Sequence, residues 1–164
     1  MLYWDVASKK RLEDLERIPH DNRTVFVTEA FTDVVAVLGE GWRAGMKKKI
    51  RTAFEVCEQA FLVRQSNDAV LLAKLESLIE EEMYPGVYDL GTALCLALRN
   101  RPEMSAKCMR DILGFCYQAV LSVEIESKLE CYVLGDQVAE LEKQNSACLR
   151  VIDLQNGLFA RFAL

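Results

Sequence analysis

The stretch Val87 to Leu98, VYDLGTALCLAL, constrains the fold more than any other part of the chain. After Asp89 it carries no charge until Arg99, and Leu90, Ala93, Leu94, Cys95, Leu96, Ala97 and Leu98 point in every direction around a helix. A helix with no polar face must be surrounded by neighbours. The stretch is also too short to cross a bilayer, which takes about 20 apolar residues. Residues 87–98 therefore read as the buried central helix of an all-α bundle with about six or seven helices.

Length and charge narrow the possibilities further. The 164 residues suit one domain, 1–164, with a sizeable core, and no repeat or low-complexity linker divides them. Twenty basic residues against 25 acidic ones leave a net charge of −5. Such a chain repels nucleic acid and anionic membrane overall, so neither is expected as a partner, whereas a basic protein would be attracted. Six cysteines, at 57, 95, 108, 116, 131 and 148, sit in apolar helical patterns without a CxxC pair. That setting predicts free thiols in a reducing cytoplasm rather than a disulfide framework. The start MLYWDVASKKRLEDLE carries charge where an export signal needs an apolar core, so a cytoplasmic location is expected.

Along the chain, Tyr3 and Trp4 are expected to bury their rings across the bundle. Ser8 reads as the N-cap of a first helix through Ile18, with Leu12 and Leu15 inward, which Pro19 ends. His20, Asp21 and Asn22 then read as a polar turn. Val27, Ala30, Phe31, Val34, Val35 and Leu38 keep helical spacing until Gly39-Glu40-Gly41 breaks the chain. A third helix from Trp42 to Arg64 places Met46, Ile50, Ala53, Phe54, Cys57, Ala60 and Phe61 on one stripe. Ser66-Asn67 caps a fourth, Asp68 to Met83, with Leu71, Leu72, Leu75, Leu78 and Ile79 inward and Glu76, Glu80 and Glu82 facing water. Tyr84-Pro85-Gly86 leads into residues 87–98, and Asn100-Arg101-Pro102 closes them. One long helix from Glu103 to Leu134 is expected next, with Gly114 at a close helix crossing. Gly135 breaks it, and Asp136 caps a last helix whose stripe Val138, Leu141, Cys148, Val151, Ile152 contains a register shift. The tail LFARFAL is apolar enough to dock on the core or to support a homodimer.

Chemistry-bearing residues are few. His20 is the single histidine and reads as a solvated turn residue with no partner at useful spacing. Glu80, Glu81 and Glu82 point about 100° apart on a helix and cannot converge on one ion. No Glu-x-x-His pair supports a di-iron bundle, so no metal and no cofactor is expected. Lys47-Lys48-Lys49 with Arg43 and Arg51 lies beside Trp42 and has the makings of a phosphate contact. Glu55 and Glu58 follow within two turns, and the block reads as the charged outer side of an amphipathic helix. GEGWRAG lacks the Lys-Ser/Thr step of a phosphate loop. Cys57, Cys95, Cys108 and Cys116 read as core; Cys131 and Cys148 read as more exposed, without a base to activate them.

Glu124, Glu126, Glu130, Asp136, Glu140 and Glu142 lie on either side of Gly135, where two helix ends would present them together. Such a face suits docking of a cationic protein, since complementary charge raises the association rate. In bulk properties the chain resembles bacterial toxin-immunity proteins, which are small, acidic and matched to a basic effector. The resemblance is one of composition, and it implies an inhibitory binding protein rather than an enzyme. Two other classes fit the same composition. One is a helical adaptor, regulator or chaperone-like domain, homodimeric through its tail. The other is a small-molecule binder or enzyme with Trp42, Tyr84, Tyr88, Arg99 and Arg101 lining a pocket between helices.

Overall fold

The computed structural model describes Trp4 and residues 12–63, 69–101, 103–129 and 135–162. Among them the chain is an all-α bundle with eight α-helices and no strand. The helices are α1 (Leu12–Arg17), α2 (His20–Gly45), α3 (Lys48–Leu62), α4 (Ala69–Glu80), α5 (Val87–Arg99), α6 (Ala106–Glu124), α7 (Gly135–Gln144) and α8 (Ser146–Phe162). A 3-10 turn, Glu126–Lys128, follows α6. No helix among the described residues is long and apolar enough to cross a membrane.

The interior is shared by α5 and α6, which pack on one another more extensively than any other pair. In α5, Val87, Leu90, Gly91, Ala93, Leu94, Cys95, Ala97 and Leu98 are buried. The uncharged stretch nevertheless keeps one outer edge, where Tyr88 is half exposed and Thr92 and Leu96 are partly open. Helix α6 buries Met109, Ile112, Leu113, Cys116, Tyr117, Ala119, Val120 and Leu121 and also meets α1, α2 and α8. Arg23 is buried where α1 meets α2, and its guanidinium donates to the carbonyls of Ile18 and Met104, both at 3.0 Å, and of Glu16 at 3.3 Å. Three accepting carbonyls satisfy a charge that would otherwise be costly to bury.

Several helix boundaries differ from the spacing-based expectation, each for a local reason. Residues 20–22 are not a turn: α2 starts directly after Pro19, and the Asn22 N–H donates to the Pro19 carbonyl at 2.9 Å. Proline's fixed φ suits the entry to a helix, and Asp21 complements the dipole in its first turn. The expected break at Gly39-Glu40-Gly41 is present as a kink: Gly39, at φ 76 and ψ 174, leaves helical geometry and divides α2 into two helical segments. Trp42 lies in the short helical segment after that kink and before α3; its ring is buried and its Nε1 donates to the Pro85 carbonyl at 2.8 Å. A second break falls at Met46-Lys47.

Helix α6 starts at Ser105, whose Oγ accepts from the Cys108 N–H at 3.1 Å. It stops at Glu124, well short of Leu134, because Ile125 leaves the helix and turns its side chain into the core. The register shift before Cys148 is a helix break: the Asn145 Oδ1 accepts from the backbone N–H groups of Ala147 and Cys148, both at 3.0 Å, and so caps α8. Cys148, expected to be more exposed, is buried as a result. At Gly114 it is the Trp4 ring that packs close, 3.2 Å from where a Cβ would stand. Glu76 and Glu82 do not simply face water, since Glu76 pairs with Arg99 at 2.5 Å and Glu82 with Lys47 at 3.2 Å. The expected caps at Ser8 and Ser66-Asn67, the Tyr3 ring, Pro102, Glu130 and Cys131 lie outside the described residues.

The C-terminal helix docks on the core. Phe159 and Phe162 set their edges against Phe26, with centroids 5.2 and 5.7 Å away, and Leu158 is buried beside them. Leu158, Phe159 and Phe162 thus pack on the core.

Candidate functional site

The acidic residues around the α6–α7 connection fall into different environments. Asp136 is exposed in the first turn of α7, where the helix dipole favours a negative charge. Glu140 is exposed and pairs with Lys143 at 2.6 Å. Glu124 sits in the last turn of α6, the unfavourable end for an anion, and Lys128 offsets this at 3.0 Å. Exposed ion pairs of this kind are weak and leave both partners available for exchange. Glu126 is exposed and accepts from the Ser122 Oγ at 2.8 Å and from the Gln118 Nε2 at 3.2 Å.

Glu142 does not belong to that face. It is fully buried and accepts from the Tyr117 hydroxyl at 2.6 Å, so its expected place on a docking surface is corrected. The spacing Val138, Leu141 misled because α7 is a short helix of its own, on which Glu142 and not Leu141 turns inward; Leu141 stays 38% exposed. Burial and then the Glu142 hydrogen bond push the Tyr117 hydroxyl up, so it remains a donor at neutral pH. Tyr117 also stacks on Trp4 at 6.1 Å, and the Trp4 Nε1 donates to the Gln155 Oε1 at 3.1 Å. Gln155 in turn donates to the Leu113 carbonyl at 3.3 Å. This buried polar network ties α6, α7, α8 and the N-terminal Trp4 together, and satisfied networks of this kind rigidify a core.

One residue of the acidic face escaped the sequence reading. Asp89, in the first turn of α5, accepts from the same Ser122 hydroxyl at 3.2 Å that serves Glu126. The one charge in an otherwise uncharged stretch was the available signal. Burial pushes the Asp89 carboxyl up, the Ser122 hydrogen bond lowers it, and neighbouring Glu126 raises it again; the net direction is upward. A carboxyl raised in this way favours folding fully below its unfolded value, near 3.8, and that contribution is lost as pH rises through the higher folded value. Asp89→Asn is therefore expected to raise the urea midpoint at pH 7 and to leave it unchanged well below pH 3.8. A lower midpoint at pH 7 would mean that the carboxylate is favourably placed after all.

The residues proposed to line a ligand pocket do not converge. Trp42 is held by Pro85, Tyr84 lies against Gly45, and Arg101 stacks over the Phe61 ring at 4.5 Å while donating to the Phe61 carbonyl. Tyr88 and Arg99 share a cleft of about 170 Å³ with Glu76, Glu80, Thr92 and Cys95. In the basic block, Arg43 makes a two-pronged contact with Glu58 at 2.8 and 2.9 Å. Burial pushes the thiols of Cys95 and Cys116 up to about 12 and that of Cys148 to about 11, so none is a thiolate nucleophile at neutral pH. Among the described residues, no group of three or more His, Cys, Asp and Glu side chains could hold a metal ion.

No protein-family model, curated protein or solved structure matches this chain. Its function must be argued from its own surface.

Proposed function

We propose that the chain is a protein-binding inhibitor of the immunity type, which neutralises a basic effector by covering it with the face formed by Asp89, Glu124, Glu126, Asp136 and Glu140. The observation that carries this reading is the shared hydroxyl. The single Ser122 O–H lies within reach of the Asp89 and Glu126 carboxylates and serves one at a time, and burial of Asp89, with Glu126 beside it, disfavours the negative charge there. An arginine or lysine from a partner would relieve the repulsion, so binding a cation at this point gains more than at an isolated surface carboxylate. Asp136 and Glu140 extend the negative field along α7, which the buried Tyr117–Glu142 bond fixes to α6. The buried, raised thiols and the dispersed aromatic and arginine side chains favour a surface role over a catalytic one. The free thiols of Cys57, Cys95, Cys108, Cys116 and Cys148 support a reducing, cytoplasmic setting.

The test is genetic and kinetic. Expression of the reading frame directly upstream of this one is expected to arrest growth, and co-expression of this chain to restore it. With the purified pair, the triple variant Glu126→Lys, Asp136→Lys and Glu140→Lys is expected to slow association by about 10- to 100-fold, with a smaller change in dissociation. An upstream product that leaves growth unaffected, or arrest that persists with this chain present, would remove the immunity reading. Unchanged association by the triple variant would remove the acidic face.

A further inference from the structure

A groove of about 450 Å³ runs between α3 and α4, lined chiefly by Lys48, Lys49, Thr52, Val56, Leu71 and Lys74. Along α3, Lys49, Thr52 and Val56 recur at helical spacing and, with Val63 at the C-cap, form a second stripe beside the core stripe of Ile50, Ala53, Phe54, Cys57 and Phe61. This second stripe faces water: Val56 and Val63 are each 47% exposed, and Val70 at the start of α4 is 78% exposed. From Lys49 to Val63 the strip is about 20 Å long, at about 1.5 Å per residue, which is the footprint of a helix and not of a compact metabolite. Lys47 nearby is engaged by Glu82, whereas Lys48, Lys49 and Lys74 have no carboxylate within ion-pair distance among the described residues. Three lysines without an ion-pair partner among the described residues border this apolar strip, which gives it a local sign opposite to the net charge of −5.

We propose that the α3–α4 groove is a docking site for an acidic amphipathic helix of a partner protein. Apolar side chains at i, i+3 or i+4 and i+7 of that helix lie along Val56, Val63, Val70 and Leu71, and its carboxylates meet Lys48, Lys49 and Lys74. Charge complementarity selects an acidic occupant and disfavours a basic one. The surface is distinct from the acidic face of α5, α6 and α7, so the two proposals stand or fall separately.

The probe is a fluorescently labelled synthetic helix of about 14 residues, long enough to span the strip, with Leu at i, i+3, i+4 and i+7 and Glu elsewhere. Its anisotropy on titration with the full chain is expected to saturate and to weaken with added salt. Val56→Asp, and separately Lys49→Glu with Lys74→Glu, are expected to weaken binding by about tenfold or more, while their melting curves stay close to that of the unaltered chain. The triple variant of the acidic face is expected to bind the probe normally. The proposal is overturned if the same helix with Lys in place of Glu binds equally well, or if neither groove variant changes affinity. It is also overturned if sedimentation shows a dimer that Val56→Asp dissociates, since a second copy then covers the groove. Retention on anionic phospholipid vesicles that both variants abolish would overturn it as well, in favour of a lipid surface.

Discussion

Leu94→Asp is expected to leave no cooperatively folded state at pH 7. Leu94 is fully buried in the middle of α5, where that helix meets its neighbours. Truncating a buried leucine costs about 2–5 kcal/mol on its own. An ionised carboxylate placed there, with no donor to meet it, adds several kcal/mol more or forces its own protonation. The sum is comparable to the whole stability of a domain of this size, about 5–15 kcal/mol. Leu94→Met, which keeps the volume, is expected to cost less than about 1.5 kcal/mol and serves as the control. The readout is far-ultraviolet circular dichroism through a thermal scan: a broad, non-cooperative melt for Leu94→Asp and a sharp one for Leu94→Met. A helical Leu94→Asp variant with a sharp transition would show that the α5–α6 interior is far looser than its burial implies.

How much of this arrangement was legible in the sequence depended on whether burial or capping set each feature. Hydrophobic spacing identified the stripe Ile50, Ala53, Phe54, Cys57 and Phe61 in α3, and Leu72, Leu75 and Ile79 in α4, because side-chain periodicity is imposed directly by burial. Helix ends were less legible, since a single side-chain hydrogen bond decides them. Asn145 starts α8 by accepting from Ala147 and Cys148, yet in the sequence it stands inside an unbroken polar run and looks like one more surface residue. Ser105 starts α6 in the same way, three residues beyond Pro102. His20 was read as a turn because it follows a proline, whereas the fixed proline φ admits a helix immediately behind it.

The candidate site was legible only as a charge count. Sequence spacing grouped Glu124, Glu126, Asp136, Glu140 and Glu142 by proximity along the chain. It had no means of knowing that Glu142 turns inward to Tyr117 or that Asp89 arrives from a different helix to share the Ser122 hydroxyl. Both facts depend on tertiary pairing across the α5–α6 and α6–α7 junctions, which leaves no periodic trace. The α3–α4 groove was hidden for a related reason. Its apolar members, Val56 and Val63, sit beside the core stripe, and which of two adjacent stripes faces inward is settled by where α4 and α5 pack, not by α3 alone.

Two glycines with almost the same φ provide the second large effect, because their surroundings differ. Gly86, at φ 78, opens α5, and a Cβ there would stand 2.8 Å from the Ala119 carbonyl oxygen and 3.0 Å from the Val123 Cγ2. Gly39, at φ 76, sits at the kink of α2 with nothing within 4 Å of the same position. An alanine at either site incurs backbone strain of about 1–3 kcal/mol. The strain lies toward the upper end at Gly39, whose ψ of 174 lies where glycine alone is at ease, and toward the lower end at Gly86, whose ψ of −11 is near the left-handed helical region. At Gly39 the strain is the whole cost, and the open kink relaxes part of it. At Gly86 the added methyl also pushes on the backbone of α6, which cannot swing aside without parting the most extensive helix pair in the bundle. Gly86→Ala is therefore expected to cost at least about 3 kcal/mol, and Gly39→Ala, where backbone strain acts alone, to cost less, as read from urea midpoints at constant m-value. Combining Gly86→Ala with Val123→Ala separates the two contacts. The carbonyl oxygen stays where it is, so the second substitution should recover little of the loss, and a coupling energy near zero in the double-mutant cycle is the expected result. Full recovery would transfer the constraint from the α6 backbone to one movable side chain, and equal costs at Gly39 and Gly86 would mean that backbone strain, not the contact with α6, governs both.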